Sequence, residues 1–109
     1  MVMTVEMARF VVKPGAEAAM LSERPAMLEA ARKHFPAHRD AYLCKLDDGT
    51  WIDIVLWSDR QQAEEAAEGF YRYPEINTWF RHVERMIGFE YADVEQISYP
   101  ENPDREAQR

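Results

Sequence analysis

The sequence predicts a single α+β domain with an antiparallel sheet, and three observations support this. Residues 4–13 alternate in the manner of a strand, a hairpin is centred on Asp48-Gly49, and helical stretches follow both the strand and the hairpin. The order strand–helix–strand occurs twice, which is typical of a ferredoxin-like βαββαβ fold. We assign this domain to residues 1–97 and expect residues 98–109 to form a polar, mobile C-terminal tail.

The composition of the 109-residue chain excludes several classes of function. A formal net charge of −7 argues against nucleic acid and anionic membranes as partners, since both need a basic surface. The N-terminus lacks the basic and apolar regions of a signal peptide, and no apolar run approaches the length of a membrane span. The single cysteine, Cys44, allows no internal disulfide and suits a reducing cytoplasm.

The sequence contains no recognisable cofactor site. Its three histidines, His34, His38 and His82, lack the spacing of metal ligands, and Pro36 separates the first two. No glycine-rich phosphate loop is present. We therefore expect neither a bound metal nor an organic cofactor.

The first two elements are a strand and a helix joined by the turn KPG. The strand carries apolar side chains on both faces, and the helical stretch ends near Phe35. Pro25 leaves two alternatives: the helix starts near Ser22, or a longer helix kinks at Pro25. Only the longer helix would direct Arg24 towards the apolar side.

The hairpin YLCKLDDGTWIDIVLW is the clearest structural feature. Asp-Gly is favoured in a two-residue type I′ turn, so Asp48-Gly49 predicts a register in which Cys44 faces Asp53. This register gives one aliphatic face, composed of Ala41, Leu43, Ile52, Ile54 and Leu56. The other face mixes aromatic and polar groups: Tyr42, Cys44, Leu46, Trp51, Asp53, Val55 and Trp57.

Two helical segments and a strand complete the chain. Ser58 or Asp59 can cap a helix of sequence RQQAEEAAEGFYR, which Pro74 interrupts. A further helix is predicted from about Glu75 to Met86, followed by a last strand at 88–97.

The segment INTWFRH, residues 76–82, carries the first candidate site. On a helix, Trp79 and His82 are three residues apart and share one side, whereas Asn77 lies on the opposite flank of the apolar stripe. His82 would be a catalytic proton-transfer group, because imidazole titrates near neutral pH, and Trp79 would bind the substrate. The alternative is that Trp79 belongs to the core and His82 to its boundary.

Asp53 is the second candidate, because carboxylates are rare in the middle of strands. In the expected fold the first strand lies beside the third, so Arg9 could reach Asp53. Asp53 would then be a catalytic carboxylate in a ligand cavity, with Arg9, Tyr42 and Trp57 binding the substrate. The alternative is a buried Arg–Asp pair at a dimer interface.

Two motifs carry a family resemblance. ARFVVKPG leads into the first helix, and in DDGTWIDIVLWSDRQQAEEA a hairpin strand ends in Trp-Ser and enters an Ala/Glu-rich helix. With these motifs, residues 4–97 resemble the antibiotic biosynthesis monooxygenase-like branch of the dimeric α+β barrel superfamily. The superfamily includes cofactor-independent monooxygenases, haem-degrading enzymes and polyketide cyclases. Its haem-degrading members use an Asn on the first strand, where this sequence has Met7-Ala8-Arg9, so haem degradation is disfavoured.

The resemblance implies a small-molecule enzyme similar to cofactor-independent monooxygenases that act on aromatic or polyketide-like substrates. In such a reaction the protein deprotonates an electron-rich phenol, orients it and excludes water. Two alternatives stay open: a polyketide cyclase on the same scaffold, or a non-catalytic dimer that binds a small aromatic or apolar molecule or is associated with stress. A deep cavity lined by titratable groups would favour an enzyme. We also expect a homodimer, since both sheet faces are apolar and the helices can cover only one.

Overall fold

A computed structural model describes residues 3–100, and its elements follow the predicted order. The helices and strands are β1 Thr4–Val12, α1 Glu17–His34, β2 His38–Lys45, β3 Trp51–Trp57, α2 Arg60–Gly69, α3 Pro74–Asn77 and β4 Val83–Asp93. Two short 3₁₀ helices, Phe70–Arg72 and Thr78–His82, flank α3. Of the tail predicted at 98–109, the part from residue 101 onward lies outside the described residues.

The four strands form one antiparallel sheet in the order β2-β3-β1-β4. The first strand therefore lies beside the third, and the ferredoxin-like α+β fold is confirmed. Side chains alternate along β1. Glu6, Ala8 and Phe10 are buried on the face packed against the helices, whereas Val5 and Met7 are partly buried on the opposite side. We call these sides the covered face and the outer face of the sheet.

Helix α1 continues through Pro25, so the longer of the two predicted helices is correct. Pro25 has no N–H, and its intrahelical partner would have been the Leu21 carbonyl. Leu21 and Pro25 both lie on the exposed side of α1, where water can replace the missing donor. The continuous helix buries Arg24 together with Met20 and Met27, as its helical projection predicts.

The β2–β3 hairpin differs from the predicted register by one residue. Asp53 pairs with Leu43, whereas a type I′ turn places it opposite Cys44. The Gly49 N–H donates to the Leu46 carbonyl at 2.9 Å, and within the turn only Gly49 has a positive φ, of 86°. A type I′ turn needs positive φ at two residues, so the connection is a three-residue type I turn followed by a glycine bulge.

The extra turn residue moves the side chains of β2 to the opposite faces from those predicted. Ala41 and Leu43 share the covered face with Asp53, while Tyr42 lies on the outer face opposite Ile54. The predicted grouping of Tyr42 with Asp53 on one face is therefore wrong.

The last predicted helix is shorter than its sequence pattern indicates. A helix from Glu75 to Met86 is expected, but α3 ends at Asn77 and β4 already begins at Val83. The first residues of β4 pair with the end of β1, where Val12 lies opposite Val83. Pairing with a neighbouring strand overrides the local helical pattern at this point.

The hydrophobic core lies between the covered face and the helices. Its large side chains are Phe10, Met20, Met27, Phe35, Trp51, Val55, Trp57, Ile76 and Trp79. Helix α2 contributes the small side chains of Ala63 and Ala66 to this core. Within residues 3–100, no helix combines the length and the apolar character that a membrane crossing requires.

Candidate active site

A cavity of about 260 Å³ lies between the covered face and the helices. Aromatic side chains form much of its wall: Phe10, Trp57, Phe70, Trp79, Phe80 and Phe89. Polar side chains also line it: Glu6, His38, Asp53, Tyr71 and Asn77. Tyr71 and Asn77 are exposed and lie where the cavity opens to solvent. An apolar cavity with a few polar groups is the usual form of a small-molecule site.

Glu6 is the most unusual group in this cavity. It lies in the middle of β1 on the covered face and is only 7% exposed. Val55 lies opposite it on β3, so Asp53 and Trp57 are its diagonal neighbours. The Glu6 Oε1 atom has no hydrogen-bond partner among the described residues. Because a buried polar atom without a partner is destabilising, a ligand that donates a hydrogen bond there would be favoured.

The surroundings of Glu6 make its carboxyl a weak acid. Burial raises the pKa of Glu6 from 4.5 to about 7, and the nearby Asp53 carboxylate acts in the same direction. The indole N–H of Trp57 lowers the pKa of Glu6, although the two groups do not form a hydrogen bond of good geometry. A carboxyl that titrates near neutral pH can take up and return a proton during a reaction.

Asp53 is held in place by Arg24 of α1. Arg24 donates to both carboxylate oxygens, from Nη1 at 3.0 Å and from Nη2 at 2.8 Å. Both side chains are largely buried, 9% exposed for Arg24 and 15% for Asp53. The guanidinium carbon also lies 5.7 Å from the centre of the Trp79 ring, within range of a cation–π interaction. The pair therefore fixes a carboxylate in the cavity wall beside Glu6.

His38, at the start of β2, contributes a neutral imidazole to the same wall. Burial lowers the pKa of His38 from 6.5 to about 4, and the charge of Arg32 adds to this. Its Nδ1 atom lies 3.2 Å from the Arg39 carbonyl oxygen, so Nδ1 carries the proton of the neutral ring. The ring stands edge-on to Trp57, with 5.0 Å between centroids. Nε2 is then a hydrogen-bond acceptor, suited to a ligand hydroxyl.

The segment INTWFRH lines the cavity through Asn77, Trp79 and Phe80, and His82 is not part of the lining. Trp79 and His82 share one side, as their spacing predicts, and both contact α1. The Trp79 Nε1 atom donates to the Met20 carbonyl at 2.9 Å, and His82 Nε2 lies 3.1 Å from Glu23. The cavity lies beside this contact, on the flank that Asn77 occupies. The expectation that favours His82 over Asn77 assumes one continuous helix through the segment, but α3 ends at Asn77.

Arg9 and Tyr42, two predicted substrate-binding residues, lie on the outer face and away from the cavity. Arg9 donates to Asp48 at 2.8 Å and does not reach Asp53, because Ala8 is the residue opposite Asp53. Tyr42 is 60% exposed and lines a shallow groove of the outer face. Their position follows from strand alternation and from the hairpin register.

The cavity thus brings together three of the predicted residues, Asp53, Trp57 and Trp79, and adds two that sequence reasoning missed. One of these, Glu6, could have been found, since it is a carboxylate in mid-strand like Asp53. The other, His38, carries no such pattern, because its burial depends on how β2 packs.

The fold and the cavity define the class: a ferredoxin-like α+β domain with a cavity of ligand size between its sheet and its helices. No family model matches the sequence, and no curated protein matches it either. Solved structures, however, share the fold over nearly the whole chain.

Three of these structures show the extent of the likeness. A variant of SnoaB, a cofactor-independent oxygenase from Streptomyces nogalater, has a TM-score of 0.60 at 19% identity, covering 91% of this chain and 98% of that one. An antibiotic biosynthesis monooxygenase has a TM-score of 0.57 at 15% identity, covering 87% and 99%. A protein of unknown function from Nitrosomonas europaea has a TM-score of 0.66 at 16% identity, covering 94% and 98%. The resemblance to antibiotic biosynthesis monooxygenase-like proteins is thus confirmed at the level of the fold.

Proposed function

We propose that the protein is a small-molecule enzyme that oxidises an aromatic, phenol-type substrate with molecular oxygen and without a bound cofactor. The observation that carries the proposal is the Glu6 carboxyl, which is buried in the wall of an apolar cavity and has no partner for Oε1 among the described residues. The likeness of the fold to SnoaB, a cofactor-independent oxygenase, supports the same kind of reaction.

In this proposal Glu6 is the general base. It takes the proton of the substrate hydroxyl, and the resulting electron-rich phenolate reacts directly with oxygen. Oxygen adds to the ring carbon para to the hydroxyl as a hydroperoxide, which takes its proton from Glu6. The C–H and O–O bonds at that carbon then break, a carbonyl forms there and water leaves, with all electrons supplied by the substrate. His38 would accept a hydrogen bond from a second hydroxyl, and the aromatic wall would exclude water.

Oxygen uptake with 1-naphthol, a phenol of two fused rings, as the probe substrate tests the proposal. Glu6→Gln keeps the shape of the side chain but removes the base, and we expect it to lower kcat by about 100-fold or more. The matched control is Glu29→Gln, the same chemical change at an exposed position of α1, which should leave kcat unchanged. Full activity of Glu6→Gln would contradict the role of Glu6.

Two other functions predict no oxygen uptake with this probe. A cyclase would use the same base and cavity but would convert a polyketide-like substrate under nitrogen. A non-catalytic binding protein would retain the phenol without converting it. Dependence of product formation on oxygen therefore separates the three functions.

We also propose that the protein forms a homodimer through the outer face. Apolar side chains from β1 and β3 lie side by side there: Val5, Met7, Ile52, Ile54 and Leu56. The described helices pack on the other face, and the segment with Val94 and Ile97 shares a groove with Val5, Ile54 and Leu56. A second copy would cover the remainder. The exposed, unpaired thiol of Cys44 supports a reducing, cytoplasmic setting.

A further inference from the structure

We infer that the cavity selects an uncharged, hydroxyl-bearing aromatic molecule of one or two rings and rejects aromatics that carry a carboxylate. This inference rests on the proposed function for the location of the substrate site. It adds the chemical class of the ligand and the two atoms that would hold its hydroxyl group.

Two buried polar atoms define the position of that hydroxyl. Glu6 Oε1 is an acceptor and Trp57 Nε1 is a donor, and neither has a hydrogen-bond partner within residues 3–100. The two side chains are diagonal neighbours on the covered face, since Thr4 and not Glu6 lies directly opposite Trp57. A hydroxyl both donates and accepts, so one ligand oxygen can satisfy both atoms. A carboxylate cannot donate to Glu6, and an ammonium group cannot accept from Trp57.

The charges around this position disfavour an anion. The described lining residues include the carboxyl groups of Glu6 and Asp53 but neither lysine nor arginine. Arg24, which lies behind Asp53, already donates to both of its oxygens. His38 is neutral above about pH 4, because burial lowers its pKa to about 4. A ligand carboxylate would therefore be desolvated beside like charges without a free counter-ion.

A neutral phenol avoids this penalty both on binding and during proton transfer. When its proton moves to Glu6, the phenolic O–H bond breaks and a carboxyl O–H bond forms, so the total charge of ligand and Glu6 is unchanged. A ligand that arrives as an anion instead adds a charge to the cavity.

The volume of the cavity limits the size of the ligand. At about 260 Å³ it lies just below the range of roughly 300–1,000 Å³ that is usual for small-molecule sites. One or two fused rings suit such a volume better than an extended polycyclic skeleton.

Equilibrium dialysis with two bicyclic probes tests the inference without any requirement for turnover. The probes are 2-naphthol, which is uncharged, and 6-hydroxy-2-naphthoate, which adds a carboxylate to the same rings and hydroxyl. The experiment uses the full chain at about pH 8, which is above the pKa of Glu6, so that the Glu6 carboxyl is ionised when the probe binds. We expect 2-naphthol to bind at least about tenfold more tightly.

Variants then assign the selectivity to the cavity. Glu6→Gln removes one like charge and should reduce the ratio of the two affinities by about tenfold, while Glu29→Gln should preserve the ratio. Trp57→Phe removes the donor and should weaken 2-naphthol binding. Because Trp57 is fully buried, the affinity of Trp57→Phe is compared with the wild type only if circular dichroism shows that the variant folds normally. If it does not fold, the result for Glu6→Gln decides the test.

The results separate this inference from the proposed function. Equal or tighter binding of 6-hydroxy-2-naphthoate to the wild type would overturn the inference, even if oxygen uptake were observed. Failure of both probes to bind would overturn it as well. Selective binding of 2-naphthol without oxygen uptake would support the inference and contradict the oxidation reaction.

Discussion

Glu6 on β1 and Asp53 on β3 are diagonal neighbours on the covered face of the sheet, with Val55 lying directly opposite Glu6. Two carboxyl groups so placed repel each other, and the protein treats them differently. Asp53 forms an ion pair with Arg24, whereas Glu6 has no basic partner among residues 3–100 and has a pKa of about 7. The Asp53 carboxylate thus connects the sheet to helix α1 through Arg24, whereas the Glu6 carboxyl is free to exchange a proton.

Stability should depend on pH through Glu6. Its folded-state pKa, about 7, lies above the ordinary value of 4.5, so Glu6 stabilises the fold fully below pH 4.5 and this contribution is lost as the pH rises through 7. Between about pH 5 and pH 8 the wild type should lose up to ~3 kcal/mol relative to Glu6→Gln. Urea unfolding of both proteins at each pH measures this difference.

Other titratable groups lie near Glu6, and their contributions to the pH dependence of stability must be separated from that of Glu6. The pKa of His38 is lowered to about 4, so its contribution has the opposite sign and is lost as the pH falls from 6.5 towards 4. Tyr91, whose pKa burial and Glu6 raise to about 12, and the paired Asp53 complete the surroundings. These groups are present in both proteins and largely cancel in the comparison. Parallel pH profiles for the two proteins would contradict the assignment.

Removal of Arg24 should be strongly destabilising. Arg24→Met leaves Asp53 buried without its partner, which typically costs about 3–5 kcal/mol. Guanidinium chloride unfolding at 10 °C or so keeps a weakened variant measurable. The control is Arg60→Met, which breaks an ion pair of the same 2.8 Å length to Asp93, but between side chains that are 42% and 45% exposed. That variant should unfold close to the wild-type midpoint.

Asn77 and His82 should respond in opposite ways to substitution. Asn77→Ala alters the cavity mouth and should weaken 2-naphthol binding by about three- to tenfold, with little change in stability because the residue is exposed. His82→Ala removes the contact with Glu23 and should lower the unfolding midpoint while leaving 2-naphthol affinity intact. Loss of binding in His82→Ala alone would place the site on the other side of the segment.

A charge on the outer face should prevent the proposed dimerisation. Ile54 lies opposite Met7 near the middle of that face, so Ile54→Glu should raise the dimer dissociation constant at least about 100-fold. Leu21→Glu, a similar change at an exposed position of α1, should have no such effect. Sedimentation velocity at micromolar concentration distinguishes the outcomes, and a wild-type protein that is monomeric there would exclude the dimer.

Replacing Gly49 in the hairpin turn with alanine should lower the stability of the fold. Gly49 has a φ of 86° with open space around its Cα, so Gly49→Ala should cost about 1 kcal/mol through backbone strain alone. Gly88 also has open space but no positive φ, so Gly88→Ala is a matched control that should be neutral or slightly stabilising. Equal stabilities would show that the turn relaxes to another conformation.

Much of the architecture follows from patterns in the sequence that act over short distances. The alternation in β1, the cap at Asp59 and the order of strands are all as expected. The predicted hairpin register differs from the observed one by one residue because Asp-Gly fits two kinds of turn, and the choice between them depends on strand pairing beyond the turn. The early start of β4 has a similar cause, since residues from Val83 onward form a strand only because they can pair with the end of β1.

The candidate site is harder to predict from the sequence than the fold, because it depends on which face of the sheet packs against the helices. The unusual position of Asp53 in a strand singles it out as a candidate, but Arg9, the partner expected for it, lies on the opposite face of β1. Arg24 could be placed only once α1 was known to continue through Pro25. Glu6 shared the pattern that singled out Asp53, yet its significance lies in burial without a partner, which no local pattern reveals.

Even-numbered and odd-numbered residues of β1 lie on different faces of the sheet. Even-numbered residues from Thr4 to Phe10 are buried towards the helices, and the odd-numbered residues between them face outward. A mutant library confined to even positions would therefore vary the chemistry of the cavity, while one confined to odd positions would vary contacts with a neighbouring molecule. Deletion of a single residue within β1 would exchange the two sets at once. Laboratory evolution of substrate range should thus be separable from evolution of assembly, provided that the length of this strand is kept.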